Sequence, residues 1–351
     1  MKIAVVGAGL SGLTAGKILA SSGHEVVVYE KSRGFGGRMA TRYAGKDLEY
    51  RLDHGVSHFS ATDSTFKTVL EDWKTKGLVQ EWGQYFSYFN GEKLLPRTPL
   101  EESNLYTSTT GMNQIGRYMG RICDVVFESK IGGITYFGEN RTRKKPWILN
   151  FQSGSVVSAD AVIISTPAPQ AYGVLGMTQD ETDTFKMVRR IDEIHYQSAF
   201  TLMIGFKGIE IPSWQGIECE NSIISFISNE SLKRNEKDTL YLTVKSTYAF
   251  SQLNQDQLKD QVAKLLIQEL SGILGGWVKS YDWKQIHFWR YAHCENPLDT
   301  YYLERENMDA PLALIGDYFK GSTLQDAFLS GYELGQQWKK KFQNRIEERA
   351  A

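Results

Sequence analysis

Short apolar runs alternate with helical stripes at the start of the chain. Ile3 to Val6, closed by Gly7, predicts a fully buried strand. Ser11 to Ser21 puts Leu13, Ile18 and Leu19 on or near one helical face, and Gly23 supplies the stop. Glu25 to Glu30, running through Val26, Val27, Val28 and Tyr29, predicts a second buried strand. Strand, helix and strand within about 30 residues form a βαβ unit, which requires a parallel sheet.

Further on, Asp63 to Gly77 is helical, with Phe66, Val69, Leu70 and Trp73 spaced by three and four. Tyr85 to Leu95 alternates as paired strands around Asn90-Gly91, a strong hairpin dipeptide. Gly111 to Arg121 predicts a helix. Val125 to Phe127, Ile131 to Phe137, and a hairpin of Trp147 to Phe151 with Val156-Val157 predict strands. Ala161 to Ser165 is another buried run, closed by Thr166-Pro167. From about 170 to 290 the chain alternates instead: Ser198 to Phe206, Ile223 to Ser228 and Leu240 to Ser246 predict an antiparallel sheet, with a helix over Gln255 to Leu270. Leu312 to Ile315 then returns as a buried strand before Gly316-Asp317. Leu324 to Lys340 is helical, and the charged tail from Lys339 is expected to fray.

This pattern predicts an α/β protein. A Rossmann-type domain over 1-60, 105-168 and 295-351 is interrupted by an α+β domain over 61-104 and 169-294, built on a mostly antiparallel sheet. The length of 351 residues agrees with two domains. Lys plus Arg is 40 against 41 for Asp plus Glu, so no charge excess draws the chain to nucleic acid or to a membrane. No run of about 18 apolar residues predicts a transmembrane helix. The three cysteines have no CxxC spacing, so a reduced, cytoplasmic setting is expected and a metal site is not. Glycine stands at 32 against 8 prolines, which points to places where backbone must approach something closely.

Gly7-Ala8-Gly9-Leu10-Ser11-Gly12 sits between the first strand and helix, and Glu30 ends the next strand. Gly7 allows the turn, Gly9 lets a pyrophosphate approach, and Gly12 and Gly16 let the helix lie close on the sheet. The helix N-terminus offers free N–H groups and partial positive charge to phosphates. Glu30 can accept from ribose hydroxyls and repels a 2′-phosphate. A second loop, Arg33-Gly34-Phe35-Gly36-Gly37-Arg38-Met39-Ala40-Thr41-Arg42, follows at once. Gly36 and Gly37 allow it to close over the first site, and Arg38 suits phosphate oxygens.

The pair GxGxxG…E and GGRxxT resembles the flavin-containing amine oxidase superfamily. That resemblance implies FAD on a glutathione-reductase-like fold, with Gly316-Asp317 meeting the ribityl or phosphate end. A narrower resemblance, to bacterial renalase-like proteins, covers nearly the whole chain. It runs through Lys31 to Arg42, Asp53-His54-Gly55-Val56-Ser57-His58-Phe59, Gly111-Met112-Asn113, His287-Phe288-Trp289-Arg290-Tyr291-Ala292 and Ala327-Phe328-Leu329-Ser330-Gly331. It implies noncovalent FAD, with Ile131 presenting its backbone to adenine and a substrate-domain sheet roofing the isoalloxazine ring. Besides the residues of the first loop and Glu30, Lys31, Gly36, Gly37, Arg38, Met39, Arg42, Gly55, Val56, Ser57, Thr166, Trp289, Gly316, Asp317, Thr323, Leu324 and Ala327 are expected at the cofactor. The chain departs from the family at Ser57-His58, where Gln-Tyr is common, and at Thr323, where Arg is frequent.

The resemblance also implies hydride transfer from a small organic substrate, dihydronicotinamide-like, to flavin N5, with O2 as acceptor. The protein then orients and shields, and hydride loss from a dihydropyridine needs no strong base. Amine oxidation or another chemistry of the superfamily, or a flavoprotein without turnover, remains open. His58, His287 and Arg290 are the candidates for positioning substrate. His54 is equally a site or a structural residue, and Tyr85, Phe86, Tyr88 and Trp289 are candidate pocket walls or core.

Overall fold

The structure is a computed structural model describing residues 1–45, 48, 50–83, 86–96, 105–137, 145–176, 178, 182–306 and 309–350. Tyr85 lies outside the described residues. The chain divides into two compact units: 1–37, 115–195 and 294–351, and 38–114 with 196–293.

In the first unit, β1 (Lys2–Val6), α1 (Leu10–Ala20) and β2 (Glu25–Tyr29) form the expected βαβ unit, with β1 and β2 parallel. A six-stranded sheet runs Asp124–Val126, β2, β1, Ala161–Ile164, Leu312–Leu314 and Leu303–Glu304. All pairs are parallel except the last. Its central strands are buried apart from Lys2, which is why they read as unbroken apolar runs. A three-stranded antiparallel sheet, Ile131–Tyr136, Trp147–Phe151 and Val156–Ala159, completes the strands.

The return helix, Leu324–Ala350, packs along α1. Gly331 and Gly335 permit the approach: a Cβ on the first would collide with the Ser11 carbonyl, and one on the second would lie 2.9 Å from Ile18. The helix does not stop near Lys340 as expected. Buried Trp338 and Phe342 and the Lys341 ammonium, 2.6 Å from Glu304, anchor its last turns.

The second unit carries a seven-stranded sheet ordered Trp283–Cys294, Tyr196–Lys207, Thr239–Ser246, Ile224–Asn229, Gly216–Cys219, Phe86–Phe89 and Leu94–Pro96. Gly216–Cys219 and Phe86–Phe89 run parallel, and the last two strands form the hairpin around Asn90-Gly91. One face is apolar: Phe200, Leu202, Ile204, Leu242, Val244 and Ile227 pack with Val262, Leu266 and Leu270 of the helix Lys259–Leu274. The helix predicted over 255–270 is therefore shifted, and a separate helix, Tyr248–Asn254, precedes it, capped by the Thr247 side chain.

The unit boundaries differ from the expected ones. Residues 38–60 and 105–114 fall in the second unit because Thr41–Ala44 and Tyr50–Asp53 pair with each other, and Ala44 and Leu52 pack on Met203 and Tyr241. Phe59–Ser60 and Val79–Trp82 both pair with Leu105–Ser108. Residues 169–195 fall in the first unit, where the His195 N–H donates to Asn296 and its carbonyl accepts from Glu295.

Candidate active site

In the first unit, the carboxylate of Glu30 is fixed from both sides. Its Oε2 accepts from the Ala8 N–H at 2.8 Å, and its Oε1 accepts from the Ser32 N–H at 2.8 Å and the Ser32 hydroxyl at 2.7 Å. Glu30 thus ties the end of β2 to the glycine loop. Gly7, at φ +106°, makes a turn that L-residues resist. A Cβ on Gly12 would run into the Gly7 carbonyl and the Ser165 hydroxyl, so the start of α1 is pressed onto the ends of β1 and Ala161–Ile164. The Ser165 hydroxyl is bound to the Val6 and Gly7 carbonyls, which locks this corner. Sequence reasoning missed Ser165.

A Cβ on Gly9 would meet nothing, and α1 has no side-chain cap. Its first N–H groups thus have no side-chain cap and stand at the positive end of the helix dipole. Leu10 and Ser11 are buried beneath. The Gly36 N–H donates to the Ala8 carbonyl at 2.9 Å, and a Cβ on Gly37 would lie 3.6 Å from Gly9, so the second glycine loop does lie against the first. The Ser129 N–H donates to the Glu30 carbonyl, which leads the chain past Glu30 into Ile131.

Thr166 carries a buried hydroxyl with no partner among the described residues. Gly316 donates to Ser330 of the return helix, and Asp317 beside it is buried. Thr323 and Asp326 cap that helix reciprocally, the Thr323 hydroxyl donating to Asp326 at 2.6 Å and accepting from its N–H at 3.2 Å. The Ala327 N–H reaches the Thr323 carbonyl, and Leu324 is buried. Lys31 is exposed on Gln170, and Arg33 is taken by Glu128 at 3.3 Å. That pair is solvent-exposed and therefore weak.

In the second unit, three of the singled-out segments interlock. The Val56 N–H donates to the Arg38 carbonyl at 2.9 Å, and a Cβ on Gly55 would collide with that same carbonyl. The Trp289 Nε1–H donates to the His54 carbonyl at 2.8 Å. Met39 is buried beside Arg38, whose guanidinium lies 5.9 Å over Tyr196. The rings of His54, His287 and Trp289 stand within 4.4 to 5.2 Å of one another. Arg290 is the exception. It is exposed and one step out of phase with His287 and Trp289, so the alternation of the strand turns it to the other face.

All three histidines are held neutral. Burial, then His287 and Arg42, pushes the His54 pKa down to about 3. Burial, then Lys233 and Lys245, pushes His58 to about 3. Burial, then Arg42 and Lys259, pushes His287 to about 4. The His58 Nδ1 lies 3.0 Å from the Ser57 hydroxyl, and its ring packs on Phe86 and Phe226.

A buried four-charge network supports these loops, and sequence reasoning did not find it. Arg234 reaches Asp53 at 2.7 Å and Glu230 at 2.9 Å, while Lys233 reaches Glu230 at 2.8 Å and the Ser57 carbonyl at 2.9 Å. Asp53 also accepts from the Thr41 hydroxyl and the Met112 N–H. Burial raises its pKa, but Arg234, Lys233 and these donors outweigh that and hold it below the usual carboxylate range. Both carboxylates are consumed by structure. The adjacent cations Lys233-Arg234 were the only sequence signal available.

Residues 82–334 match the family model described as flavin containing amine oxidoreductase, and residues 5–73 match an NAD(P)-binding Rossmann-like domain. The chain belongs to the flavin-containing amine oxidoreductase family. Membership in that family, with the Rossmann-like match, implies FAD as the cofactor. A cyclohexylamine oxidase from Brevibacterium oxydans IH-35A shares the fold at a TM-score of 0.71 and 10% identity, over 97% of this chain and 99% of that one. An oxidoreductase from Methanosarcina mazei does so at 0.69 and 14%, over 96% and 100%. Among curated relatives, a 4-hydroxybenzoate brominase (decarboxylating) of Marinomonas mediterranea is 37% identical over 26% of this chain and 18% of its own length. A 4,4'-diapophytoene desaturase of Staphylococcus aureus strain Newman is 59% identical over 42% of this chain and 29% of its own. The chain thus spans less than a third of these curated relatives' length.

The first unit fits FAD. It offers an open glycine at a bare helix N-terminus, an anchored carboxylate at the end of β2 and an unpartnered buried Thr166 hydroxyl. The amides of Leu10 to Gly12 would hold the pyrophosphate and Glu30 the ribose. Among the described residues no cluster could hold a metal, and no helix is long and apolar enough to cross a membrane.

Proposed function

We propose that this chain is a renalase-like oxidase on a glutathione-reductase-like fold, cytoplasmic, acting on a small dihydronicotinamide-like substrate. One observation carries the subtype. Arg38 to Arg42, Asp53 to Phe59 and His287 to Ala292, which help carry the resemblance, meet within the second unit through Arg38, Gly55, Val56, His54 and Trp289. Bound FAD would supply the hydride-accepting and O2-reducing chemistry.

The chain's own residues bind and orient. Trp289, His54 and His287 form one cluster of flat rings, and His58 with Phe86 and Phe226 forms a second. The imidazoles are neutral at neutral pH and can donate or accept one hydrogen bond each. Asp53 and Glu230 are locked in ion pairs with Arg234 and Lys233. That suits a substrate whose oxidation requires no base.

An anaerobic screen of flavin bleaching by dihydronicotinamide isomers and by amines tests the reading. Rapid bleaching by a dihydronicotinamide is expected. Bleaching by amines alone would replace this reading with amine oxidation, and no bleaching by any substrate would favour a flavoprotein without turnover.

A further inference from the structure

The apolar face of the seven-stranded sheet is covered by the helix Lys259–Leu274. Its other face carries a cross-strand row of Phe226, Lys245 and Thr201, one residue on each of three adjacent strands. His58 lies on Phe226, with ring centroids 5.0 Å apart. The Lys245 ammonium stands 5.6 Å from the ring of Tyr248, which stacks on His293. Lys245 interrupts a strand that is otherwise buried, Thr239–Ser246.

Lys245 is treated differently from its neighbour Lys233. Lys233 is fully buried and has Glu230 and the Ser57 carbonyl at hydrogen-bond distance. Among the described residues, no carboxylate lies within ion-pair distance of Lys245 and no hydrogen-bond acceptor meets its ammonium. Burial alone, with no acid to offset it, pulls its pKa down. Directly across the ladder, the Thr201 hydroxyl is buried and without a partner among the described residues. A desolvated cation without a counter-ion is costly, and so is an unpaired buried hydroxyl. Here the two stand side by side, next to aromatic rings.

We propose that Lys245, with the Thr201 hydroxyl, receives an oxyanion of the substrate, a carboxylate or a phosphate. The ring of that substrate lies along His58, Phe226 and Tyr248. The molecule this enzyme oxidises is therefore an anion that carries a flat ring, as a phosphate-bearing dihydropyridine does. A protonated amine on this face would meet Lys245 with like charge. The inference rests on the reading of this chain as an oxidoreductase that takes its substrate on the second unit.

Calorimetric titration of the purified holoprotein at pH 7 tests it, with benzoate, phenyl phosphate, benzamide and benzylamine as probes. At least one of the two anions is expected to bind, and the better of them identifies the oxyanion. Benzamide and benzylamine are expected to bind at least tenfold more weakly. Lys245→Met should weaken anion binding tenfold or more, Lys245→Arg should keep it within threefold, and Thr201→Val should cost a few-fold. Lys245→Met should also melt no lower than the parent, since it removes an unpaired charge; Lys245→Gln serves if the Met variant does not fold. The proposal is overturned if neither anion binds, if benzamide binds as well as benzoate, or if the Met or Gln variant binds anions as tightly as the parent. Flavin content is read separately from the visible absorbance of each preparation. A colourless protein that still binds benzoate through Lys245 would overturn the flavin reading and leave the anion site standing.

Discussion

Replacing Glu30 with alanine separates two jobs held by one carboxylate. The first is structural. Glu30 accepts from the Ala8 N–H, the Ser32 N–H and the Ser32 hydroxyl. Ser32 is exposed, so water replaces the lost acceptor there, but Ala8 is fully buried and its N–H would be orphaned. That costs about 1–3 kcal/mol of stability. The second job is the ribose. A hydrogen bond to a charged acceptor is worth about 1.5–3 kcal/mol, which is about a 10- to 150-fold rise in the Kd for FAD.

Glu30→Ala should therefore purify with little colour and show a lower denaturation midpoint. Glu30→Gln can still accept from Ala8 through its carbonyl oxygen, so it should keep most of the stability while binding FAD more weakly. Titration of apoprotein with FAD, alongside urea melts, reads the two effects apart. A folded Glu30→Ala protein with full flavin occupancy and unchanged Kd would refute the assignment.

Gly12→Val should abolish FAD binding and lower stability together, because its side chain meets backbone at Gly7; wild-type flavin content in the variant would sink the close-packing reading. Arg234→Met should cost about 3–5 kcal/mol in denaturant melts, since it strands Asp53 and Glu230 in the interior, and a loss under about 1 kcal/mol would contradict the buried network. Stability should fall as pH drops from about 6.5 toward 4. In that window the unfolded chain protonates His54, His58 and His287 while the folded chain does not, at a slope of at most about 1.4 kcal/mol per pH unit for each. Replacing His54 with Asn should flatten that slope, as melts across the range would show. Burial and acidic neighbours push Cys123 to about 11 and Cys219 to about 12, so neither should react with iodoacetamide at pH 7.5 in the native protein, and mass spectrometry would reveal any adduct.

The sequence by itself determined the dinucleotide half of this protein. Buried parallel strands read as unbroken apolar runs, and a βαβ unit with its glycine loop is local in sequence. Its turn, its helix start and Glu30 therefore fall within one short stretch whose spacing has few structural solutions. The return of the chain at Leu312 and the helix behind it were legible for the same reason, although the length of that helix was not. The anchors at Trp338 and Phe342 draw on the core and on Glu304, none of it visible in the local charge pattern.

Only the tertiary structure decided the second half. Asp53, Glu230, Lys233 and Arg234 are about 180 residues apart at their extremes and become a neutral cluster only when the end of the strand Tyr50–Asp53 meets the short helix Glu230–Lys233. Lys245 and Thr201 read as ordinary members of alternating strands. Their meaning depends on register, which places them opposite each other, and on burial, which leaves both without a partner among the described residues. Arg290 and Trp289 are neighbours in sequence, yet strand alternation sends them to opposite faces. Register, burial and the counting of charge partners are set by contacts between distant segments, and they decide which polar residues remain free to meet a ligand.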